Sequence, residues 1–388
     1  MPRPGIDRRT FLAGTAGVFG LGIGGIGLLE ACGSTSSVAS VSPSPRPPLA
    51  QEPGALSILE WGGYEAGGTK AQTSGLQAGT TYTTKYGANG ITYTYITNDD
   101  QALQKATSAG PFDLMHPCNE NTKDYVDRGL VQPWDTSLLP SFSQLNPGLV
   151  KAGQVNGKQY MIPWDWGYGS LLYRTDKIDA ADATGWELAW NSKYSGKISL
   201  WNGASTNFEI AALKLGFPHM DNLSSDQLSQ AKAALIQQKP LNKLYWDSEY
   251  NQEQPNFQSG TVWVTYAWQD SLVSMTQAGL KAAFLDPSQG RLSWFCGFML
   301  GAKTQNYYHA HDYVESFINH DACAQMTNLF YYGTSNTTVQ SSEIKDQTLA
   351  AALDLGNPQA ITSGKNHLQS WAPNRSALEL AWQEVTAS

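Results

Sequence analysis

From about Leu56 onward, apolar and polar residues follow each other in patterns typical of short buried strands and amphipathic helices. The run "LSILEW" (56–61) predicts a buried strand, and "ITYTYI" (91–96) alternates β-branched and aromatic residues as strands do. A helical pattern, "DDQALQKATSAG", follows; "FDLMHP" then predicts a third strand and "NTKDYVDRGL" a third helix. This order predicts a mostly parallel sheet covered by helices.

The same kind of pattern starts again in the second part of the chain. It comprises two strand-like runs in "KQYMIPWDWGYGSLLYRTD", a short helix and turn in "GWELAWNSKYSG", the strand "KISLW", the helices "NFEIAALKLG" and "SDQLSQAKAALIQQ", the strands "TVWVTYAW", "KAAFLDP" and "LSWFCGFMLG", and helices from His311 to the closing "SALELAWQEV". Two α/β units of about 100–120 residues with a shared tail predict two lobes with a cleft between them.

The ends of the predicted strands indicate which residues face this cleft. In open α/β sheets, ligands bind beyond the carboxyl ends of the strands. Trp61 and Tyr64 directly follow the first predicted strand, and residues 116–120 follow the third. We therefore expect both segments at the mouth of the cleft.

The first 50 residues have the pattern of export and processing signals rather than of a fold. Arg8 and Arg9 precede an apolar, glycine-rich run, which resembles a twin-arginine export signal. The run ends in "LLEACGS", which resembles a lipobox with Cys32 as the lipid acceptor, although Glu30 is unusual there. We predict a signal peptide at 1–31, a Ser/Pro-rich tether at 32–54 and a lipid-anchored protein outside the bacterial cell membrane. A permanent membrane span over 11–29 is the alternative.

Composition and motifs narrow the choice of function. The 388 residues carry a net charge of −8 and no basic stripe, which argues against a nucleic-acid partner. The sequence contains no G-x-S-x-G, H-E-x-x-H or Walker motif, so we predict a protein that is not an enzyme and uses no cofactor. Asp99 and Asp100 lie at a predicted helix start, where capping explains them.

Two short motifs are compatible with binding of a metal ion. His309 and His311 supply half of a metal site, but no third ligand is implied, so a solvated helix start is the preferred interpretation. The adjacent Tyr331 and Tyr332 have the chemistry to hold ferric iron, or they mark a half-buried helix end. We predict no metal site and retain a ferric-iron receptor as an alternative.

The tryptophans divide into core and cleft candidates. Trp186, Trp190 and Trp382 fall in helical patterns and are predicted to pack in the core. Trp61 and the pair Trp268 and Trp294 fall at strand ends or edges, where they serve either the core or a ligand. Aromatic faces attract cations, so the cleft candidates favour a cationic ligand.

From about Leu56 to its end, the chain resembles the extracytoplasmic solute-binding proteins of ABC importers, in particular the spermidine/putrescine-binding branch. The matching stretches are W-x-x-Y at 61–64, "FDLMHP" with "DYVDRGLVQPWDTSLLPSFSQLNP", "YMIPWDWGYGSLLYRTDKI", "GWELAWNSKYSGKISL", "LKLGF" and "SWFCGFML". The resemblance implies a type II periplasmic-binding-protein-like α/β fold, in which two lobes joined by crossing hinge strands close on a ligand. It also implies a monomer that works with an ABC permease and its ATPase.

The resemblance further implies lobe boundaries and ligand-binding residues. The first lobe is predicted to comprise residues 55–163 and 286–335, and the second lobe residues 164–285 and 336–388. The predicted ligand-binding residues are Trp61, Tyr64, Cys118, Asn119, Glu120, Trp166, Trp268, Asp270, Trp294, Cys296 and Tyr332.

The sequence departs from the family pattern at the carboxylates that usually bind polyamines. Gly63, Cys296 and the segment 202–207 stand where the family has acidic residues, and an ammonium buried without a carboxylate is costly. Candidates to replace these acids are Glu65, Glu120, Asp165 and Asp270. The resemblance nevertheless implies a small nitrogenous solute of the polyamine type as the ligand; a quaternary ammonium or other monocation, an amino acid, or ferric iron are the alternatives. An exported enzyme or a lipoprotein without transport function are further alternatives.

In the implied fold, the returning strand runs antiparallel beside the third strand. Cys118 ends the third strand and Cys296 lies early in the returning one, so we predict a possible disulfide between them beside the cleft. The alternative is that both are buried free thiols. Cys323 is left over in either case.

Overall fold

The computed structural model describes residues 48–66, 78–88, 90–247, 249–352, 361 and 366–388. The predicted export signal at Arg8 and Arg9, the lipid acceptor Cys32 and most of the tether lie outside these residues. Within the described part of the chain, no helix has both the length and the apolar character that a membrane crossing requires.

The strands of the structure are, in chain order, β1 (Leu56–Trp61), β2 (Ile91–Ile96), β3 (Leu114–Met115), β4 (Val131–Gln132), β5 (Gln154–Val155), β6 (Lys158–Gln159), β7 (Met161–Arg174), β8 (Ile198–Trp201), β9 (Asn242–Trp246), β10 (Val264–Trp268), β11 (Ala282–Phe284), β12 (Arg291–Gly301), β13 (Gly333–Thr334) and β14 (Asn366–Leu368).

The α-helices are α1 (Thr80–Tyr86), α2 (Asp99–Ser108), α3 (Thr122–Asp127), α4 (Pro147–Ala152), α5 (Ala204–Leu215), α6 (Ser225–Gln238), α7 (Gln254–Gln258), α8 (Gln269–Gln277), α9 (Tyr307–Ile318), α10 (His320–Phe330), α11 (Gln347–Ala352) and α12 (Arg375–Ala387). Short 3-10 turns, among them Asn119–Asn121, and one π-helical turn, Glu249–Glu253, connect them.

One sheet runs through the molecule in the order β2-β1-β3-β12-β7-β10-β8-β9. At one end, β1 pairs in parallel with β2 and β3, and at the other end β8 pairs in parallel with β9 and β10. Between these parallel ends, β12 and β7 run antiparallel to each other and to their outer neighbours β3 and β10. The predicted fold class is confirmed: two α/β halves are joined by long strands that cross from one to the other.

The strand β7 differs from its prediction, because the two expected runs form one continuous strand of 14 residues. Pro163 lacks a ladder donor, and the register between β7 and β12 shifts beside it, between Cys296 and Gly297. Further along, Gly169 leaves room for the ring of Tyr266, whose hydroxyl occupies the space of a Cβ. The residues that interrupt the sequence pattern are therefore accommodated by a bulge and by close packing, and the strand does not end.

The core is divided between the two halves. Leu56, Ile58 and Leu114 from the first sheet end pack with the helices α9 and α10, whereas Ile198 and Leu200 from the other end pack with α5, α6 and α12. The strand β12 serves both, because Leu292 lies in the second cluster and Phe298 in the first. The exact residue boundaries of the lobes stay a prediction.

Candidate functional site

A cavity of about 660 Å³ lies beyond the carboxyl ends of the parallel strands, against the crossing strands. It is lined by Trp61, Gly62, Tyr64, Ile96, Thr97, Asn98, Asp99, Cys118, Glu120, Asp165, Trp201, Trp246, Asp247, Glu249, Asn251, Tyr266, Trp268, Trp294, Cys296, Phe330, Tyr332 and Gln369. Residues that end or follow β1, β2, β3, β8, β9 and β10 all contribute, as expected for ligands of open α/β sheets.

The structure brings together most of the predicted ligand-binding residues. The cavity wall includes Trp61, Tyr64, Cys118, Glu120, Trp268, Trp294, Cys296 and Tyr332. Trp294 packs edge-to-face on Tyr332 with ring centroids 5.0 Å apart, and Tyr64 stacks on Phe330 at 4.5 Å. These rings form the aromatic side of the cavity.

Three predicted residues lie behind the wall instead. Asn119 accepts a hydrogen bond from the backbone N–H of Phe295 at 3.0 Å and donates to the Gln369 carbonyl. The indole N–H of Trp166 donates to the Thr334 carbonyl at 2.7 Å, in the first-lobe core. Asp270 is buried at the start of α8. None of these three residues is among the described residues that line the cavity.

The second lobe contributes residues that the sequence interpretation missed. Trp201 ends β8 and Trp246 ends β9, and both rings pack edge-to-face on Trp268 with centroids 5.5 and 5.4 Å away. Asp247 follows Trp246 directly, Glu249 opens the next turn, and both also line the cavity. Trp201 ends a predicted strand just as Trp61 does, so the same criterion identifies it as a cleft residue. The strand β9 was not predicted from the sequence, and Trp246 at its end was therefore missed.

The cavity is acidic. Five carboxyl groups line it, those of Asp99, Glu120, Asp165, Asp247 and Glu249, while no Lys, Arg or His side chain is among its described lining residues. The carboxylates come from both lobes and from the crossing strand β7. A cation that enters this cavity therefore meets aromatic faces together with carboxyl groups that carry the opposite charge once they are ionised.

In the first lobe, two of these groups hold protons more tightly than usual. Asp99, whose Oδ1 accepts the backbone N–H of Cys118 at 2.8 Å, has its pKa raised by burial to about 6. Burial and the neighbouring charge of Asp99 raise the pKa of Glu120 to about 8. The guanidinium of Arg375, outside the cavity wall, acts against both shifts.

In the second lobe, Ser271 links two carboxyl groups. Its Oγ lies 2.7 Å from Oε1 of Glu249 and 2.9 Å from Oε2 of Glu253. A hydroxyl group donates only one hydrogen, so the second contact requires a proton on a carboxyl group. Burial raises the pKa of Glu253 to about 8 and that of Glu249 well above its usual range, in keeping with this shared proton.

A buried histidine supports the carboxylate of the crossing strand. The Nδ1 of His116 lies 2.6 Å from Oε1 of Glu60, and its Nε2 lies 3.6 Å from Oδ1 of Asp165. Although burial lowers the pKa of His116, the two carboxylates outweigh it and raise the pKa to about 10. Tyr64 donates to Asp165 at 3.3 Å, so Asp165 is held between an imidazolium and a cavity phenol.

A disulfide joins Cys118 and Cys296, with the two Cα atoms 3.9 Å apart. Both residues line the cavity, and they cluster with Trp294 beside Trp61, Trp268 and Tyr332. Cys323 is buried in the first-lobe core as a free thiol. The bridge therefore connects the turn after β3 to the crossing strand β12 at the ligand cavity.

The candidate metal motifs point elsewhere. Nδ1 of His309 lies 2.6 Å from Oε2 of Glu52, while His311 accepts the backbone N–H of Asp135 at 3.3 Å. Tyr332 lines the cavity, whereas Tyr331 does not. The hydroxyl of Tyr331 instead accepts a hydrogen bond from Gln277, which also lies outside the cavity lining. Among the described residues, no group of three or more His, Cys, Asp or Glu is arranged to hold a metal ion.

Comparisons with known proteins agree with this geometry. The family model described as bacterial extracellular solute-binding protein matches residues 77–352. The spermidine/putrescine-binding periplasmic protein of Escherichia coli is 25% identical over 276 residues, which is 69% of this chain and 77% of that protein. The putrescine-binding periplasmic protein PotF of the same organism is 23% identical over 322 residues, 77% of this chain and 83% of the relative.

Solved structures show the same fold at low identity. The substrate-binding protein PotD of a spermidine/putrescine ABC transporter from Streptococcus pneumoniae superposes with a TM-score of 0.66 at 17% identity, covering 85% of this chain and 98% of its own. The periplasmic-binding protein MotA from A. tumefaciens, in complex with glucopine, gives a TM-score of 0.68 at 14% identity, covering 85% and 99%.

Proposed function

This chain belongs to the family of bacterial extracellular solute-binding proteins, and on that premise we propose that it captures a small organic polycation of the spermidine/putrescine type for an ABC permease. It is a transport binding protein rather than an enzyme, as its relatives are. The relatives named for spermidine and putrescine support the ligand class, while the chain's own cavity supplies the chemical argument.

The observation that carries the proposal is the charge of the cavity. Five carboxyl groups from two lobes and a crossing strand face it together with the rings of Trp61, Trp268 and Trp294, and the described lining has no basic side chain. This chain lacks the family's acids at Gly63 and in the segment 202–207, and Glu120 in the first lobe together with Asp247 and Glu249 in the second would replace them. Carboxylates in both lobes suit a ligand with ammonium groups at both ends.

The proposal extends to the cell envelope. The twin-arginine pattern, Cys32 in its lipobox and the Ser/Pro-rich tether support export and a lipid anchor, which would keep the binding lobes beside the permease as a monomer. Mass spectrometry of the protein from membranes tests this: a lipid-modified N-terminal cysteine is expected at Cys32. A protein that keeps residues 1–31 would refute cleavage and anchoring.

The first experiment is thermal unfolding of the purified protein against a ligand panel. The panel contains putrescine, spermidine, choline, betaine, 4-aminobutyrate, basic amino acids and ferric citrate. A ligand at 100 times its dissociation constant adds about 2.7 kcal/mol to the free energy of unfolding, which shifts the midpoint clearly. We expect putrescine or spermidine to give the largest shift.

Other outcomes separate the alternatives. A shift with choline or betaine but not with polyamines would show that the ligand is a monocation. It would contradict the proposal that carboxylates in both lobes bind ammonium groups at both ends of the ligand. A shift with ferric citrate and a visible absorbance band would indicate the iron receptor. This alternative is less favoured because Tyr332 lines the cavity, whereas the hydroxyl of Tyr331 binds Gln277 outside it. Stabilisation by no member of the panel would count against the proposed ligand class.

A further inference from the structure

The C-terminal segment 366–388 belongs to the second lobe but reaches the first. Its strand β14 pairs in parallel with β12, and the backbone N–H of Gln369 continues the ladder to the Ser293 carbonyl at 2.8 Å. Its helix α12 is anchored in the second-lobe core through the buried Leu378, Trp382 and Val385. Between these two anchors, Gln369 lines the cavity and Arg375 opens the helix.

On the first-lobe side, the segment meets the turn that carries Glu120. The preceding residue, Asn119, donates to the Gln369 carbonyl, and the following residue, Asn121, accepts a hydrogen bond from Nη1 of Arg375. Glu120 lies between these two contacts and faces the cavity. Both neighbours of a ligand-facing carboxylate are thus bound to the second lobe.

Arg375 also pairs with acidic residues of the first-lobe helices. Its Nη2 lies 2.6 Å from Oδ1 of Asp100 on α2, and its Nη1 lies 3.6 Å from Oδ2 of Asp124 on α3. Its Nε lies 3.4 Å from Glu379 on its own helix. Next to it, Nζ of Lys123 lies 5.0 Å from the ring centroid of Trp371, a second contact between the same elements.

These contacts differ from an ordinary surface ion pair on the Arg375 and Asp124 side, whereas the Asp100 side chain is 77% exposed. Exposed pairs contribute little, because two flexible side chains are immobilised in water. The Arg375 side chain is only 22% exposed, and its planar guanidinium contacts two carboxylates and an amide of the first lobe at once. Glu379, on the same helix as Arg375, is the second-lobe carboxylate in contact with this guanidinium.

We propose that Arg375 is a positioning residue that ties the C-terminal helix of the second lobe to α2 and α3 of the first lobe and thereby holds Glu120 in the cavity wall. The contact surface formed by Asp100, Asn121, Asp124 and Arg375 is called the interlobe clamp here. It lies outside the cavity, so it acts through the lobe arrangement and through Glu120 rather than by touching the ligand. Its effect on affinity rests on the proposed function, whereas its effect on lobe separation does not.

Two variants weaken the clamp from opposite sides, and a third is the control. R375Q removes the guanidinium, and the double variant D100N/D124N removes its first-lobe carboxylates while keeping Arg375. The matched control is K232Q, which breaks the Lys232–Glu384 pair of 2.6 Å between α6 and α12 inside the second lobe. R375K retains the charge without the planar fork and should restore only part of the effect.

The first readout is lobe separation without ligand. Nitroxide spin labels are attached at K151C on α4 and S229C on α6, both exposed positions. Pulsed electron paramagnetic resonance then measures the distance between the two lobes. R375Q and D100N/D124N are expected to lengthen or broaden the distance distribution, while K232Q leaves it unchanged. Distributions identical to that of the unmutated protein in both clamp variants would overturn the proposal, whatever ligand the protein binds.

The second readout is affinity for putrescine and spermidine by calorimetry. Both clamp variants are expected to bind about tenfold more weakly, in the range of a typical coupling between sites, whereas K232Q binds as the unmutated protein does. A tenfold loss in K232Q as well would mean that α12 matters only for stability, and would overturn the clamp. If neither polyamine binds the unmutated protein, the proposed ligand class fails, and lobe separation alone decides the clamp.

Discussion

At the scale of single residues, carboxyl groups with raised pKa values line the cavity where a cation is expected to bind. The pKa values of Asp99 and Glu120 are raised to about 6 and about 8, and burial and the neighbouring Asp270 raise that of Glu249 well above its usual range. A group with a raised pKa loses its proton only as the pH rises through that value. A bound ammonium favours the ionised carboxylate, so ligand binding and proton release are linked.

This linkage predicts that affinity for putrescine increases between pH 6 and pH 8.5. Asp99 and Glu120 ionise over this range, while the primary amines of the ligand, like that of lysine, stay protonated below about pH 10. Each proton released on binding contributes up to about tenfold in affinity per pH unit. Calorimetry in buffers with different ionisation enthalpies measures the protons released. Affinity that is constant over this range, with no proton release, would contradict the acidic cavity; E120Q should release fewer protons.

At the scale of elements, the sequence pattern located most strands, and its failures have local causes. The strand β9 was missed because "NKLYW" carries polar residues at its start and follows a Pro-containing 3-10 turn, so no clear apolar period is visible. The predicted helix in "GWELAWNSKYSG" consists of two 3-10 turns, Trp186–Trp190 and Ser192–Tyr194. The two strand-like runs predicted in "KQYMIPWDWGYGSLLYRTD" form the single strand β7, because the tertiary partners of Pro163 and Gly169 accommodate these residues within the strand.

The close packing of β7 predicts that G169A destabilises the protein. An added methyl group would overlap the hydroxyl of Tyr266, which is buried and cannot move freely. Overpacking of this kind costs about 1–3 kcal/mol in the free energy of unfolding, measured by denaturant titration. G62A is the matched control, because no heavy atom lies within 4 Å of its added Cβ. Equal stabilities of the two variants would show that β7 relaxes without cost.

At the scale of the whole molecule, the repeated strand–helix pattern predicted two lobes, while long-range contacts were not visible in it. Only the family resemblance suggested that Cys118 lies beside Cys296, 178 residues later. The return of the last helix to the second lobe and the contact of Arg375 with α2 depend on tertiary packing that no local pattern encodes. Cleft residues at strand ends could be predicted from the sequence, whereas the buried charged side chains behind the cavity wall could not.

The disulfide predicts a stability that depends on redox conditions. A bridge that closes so long a loop restricts the unfolded chain and contributes about 2–5 kcal/mol. Dithiothreitol is therefore expected to lower the denaturation midpoint of the protein and, because Cys118 and Cys296 line the cavity, its affinity for ligand. The double variant C118S/C296S is the control and should not respond to reductant. A response of equal size in that variant would assign the effect to another group.

The position of β12 has a consequence for biosynthesis. The strand β3 lies between β1 and β12, and β12 begins only at Arg291. A nascent chain that has emerged up to that residue therefore carries β1, β2 and β3 with one edge of the sheet unpaired, and unpaired edges recruit other strands. The first lobe can close only after α9 and α10 have also been synthesised, although its first strand is made near the start. Folding of the first lobe is consequently expected late in synthesis, once the chain up to Phe330 is available.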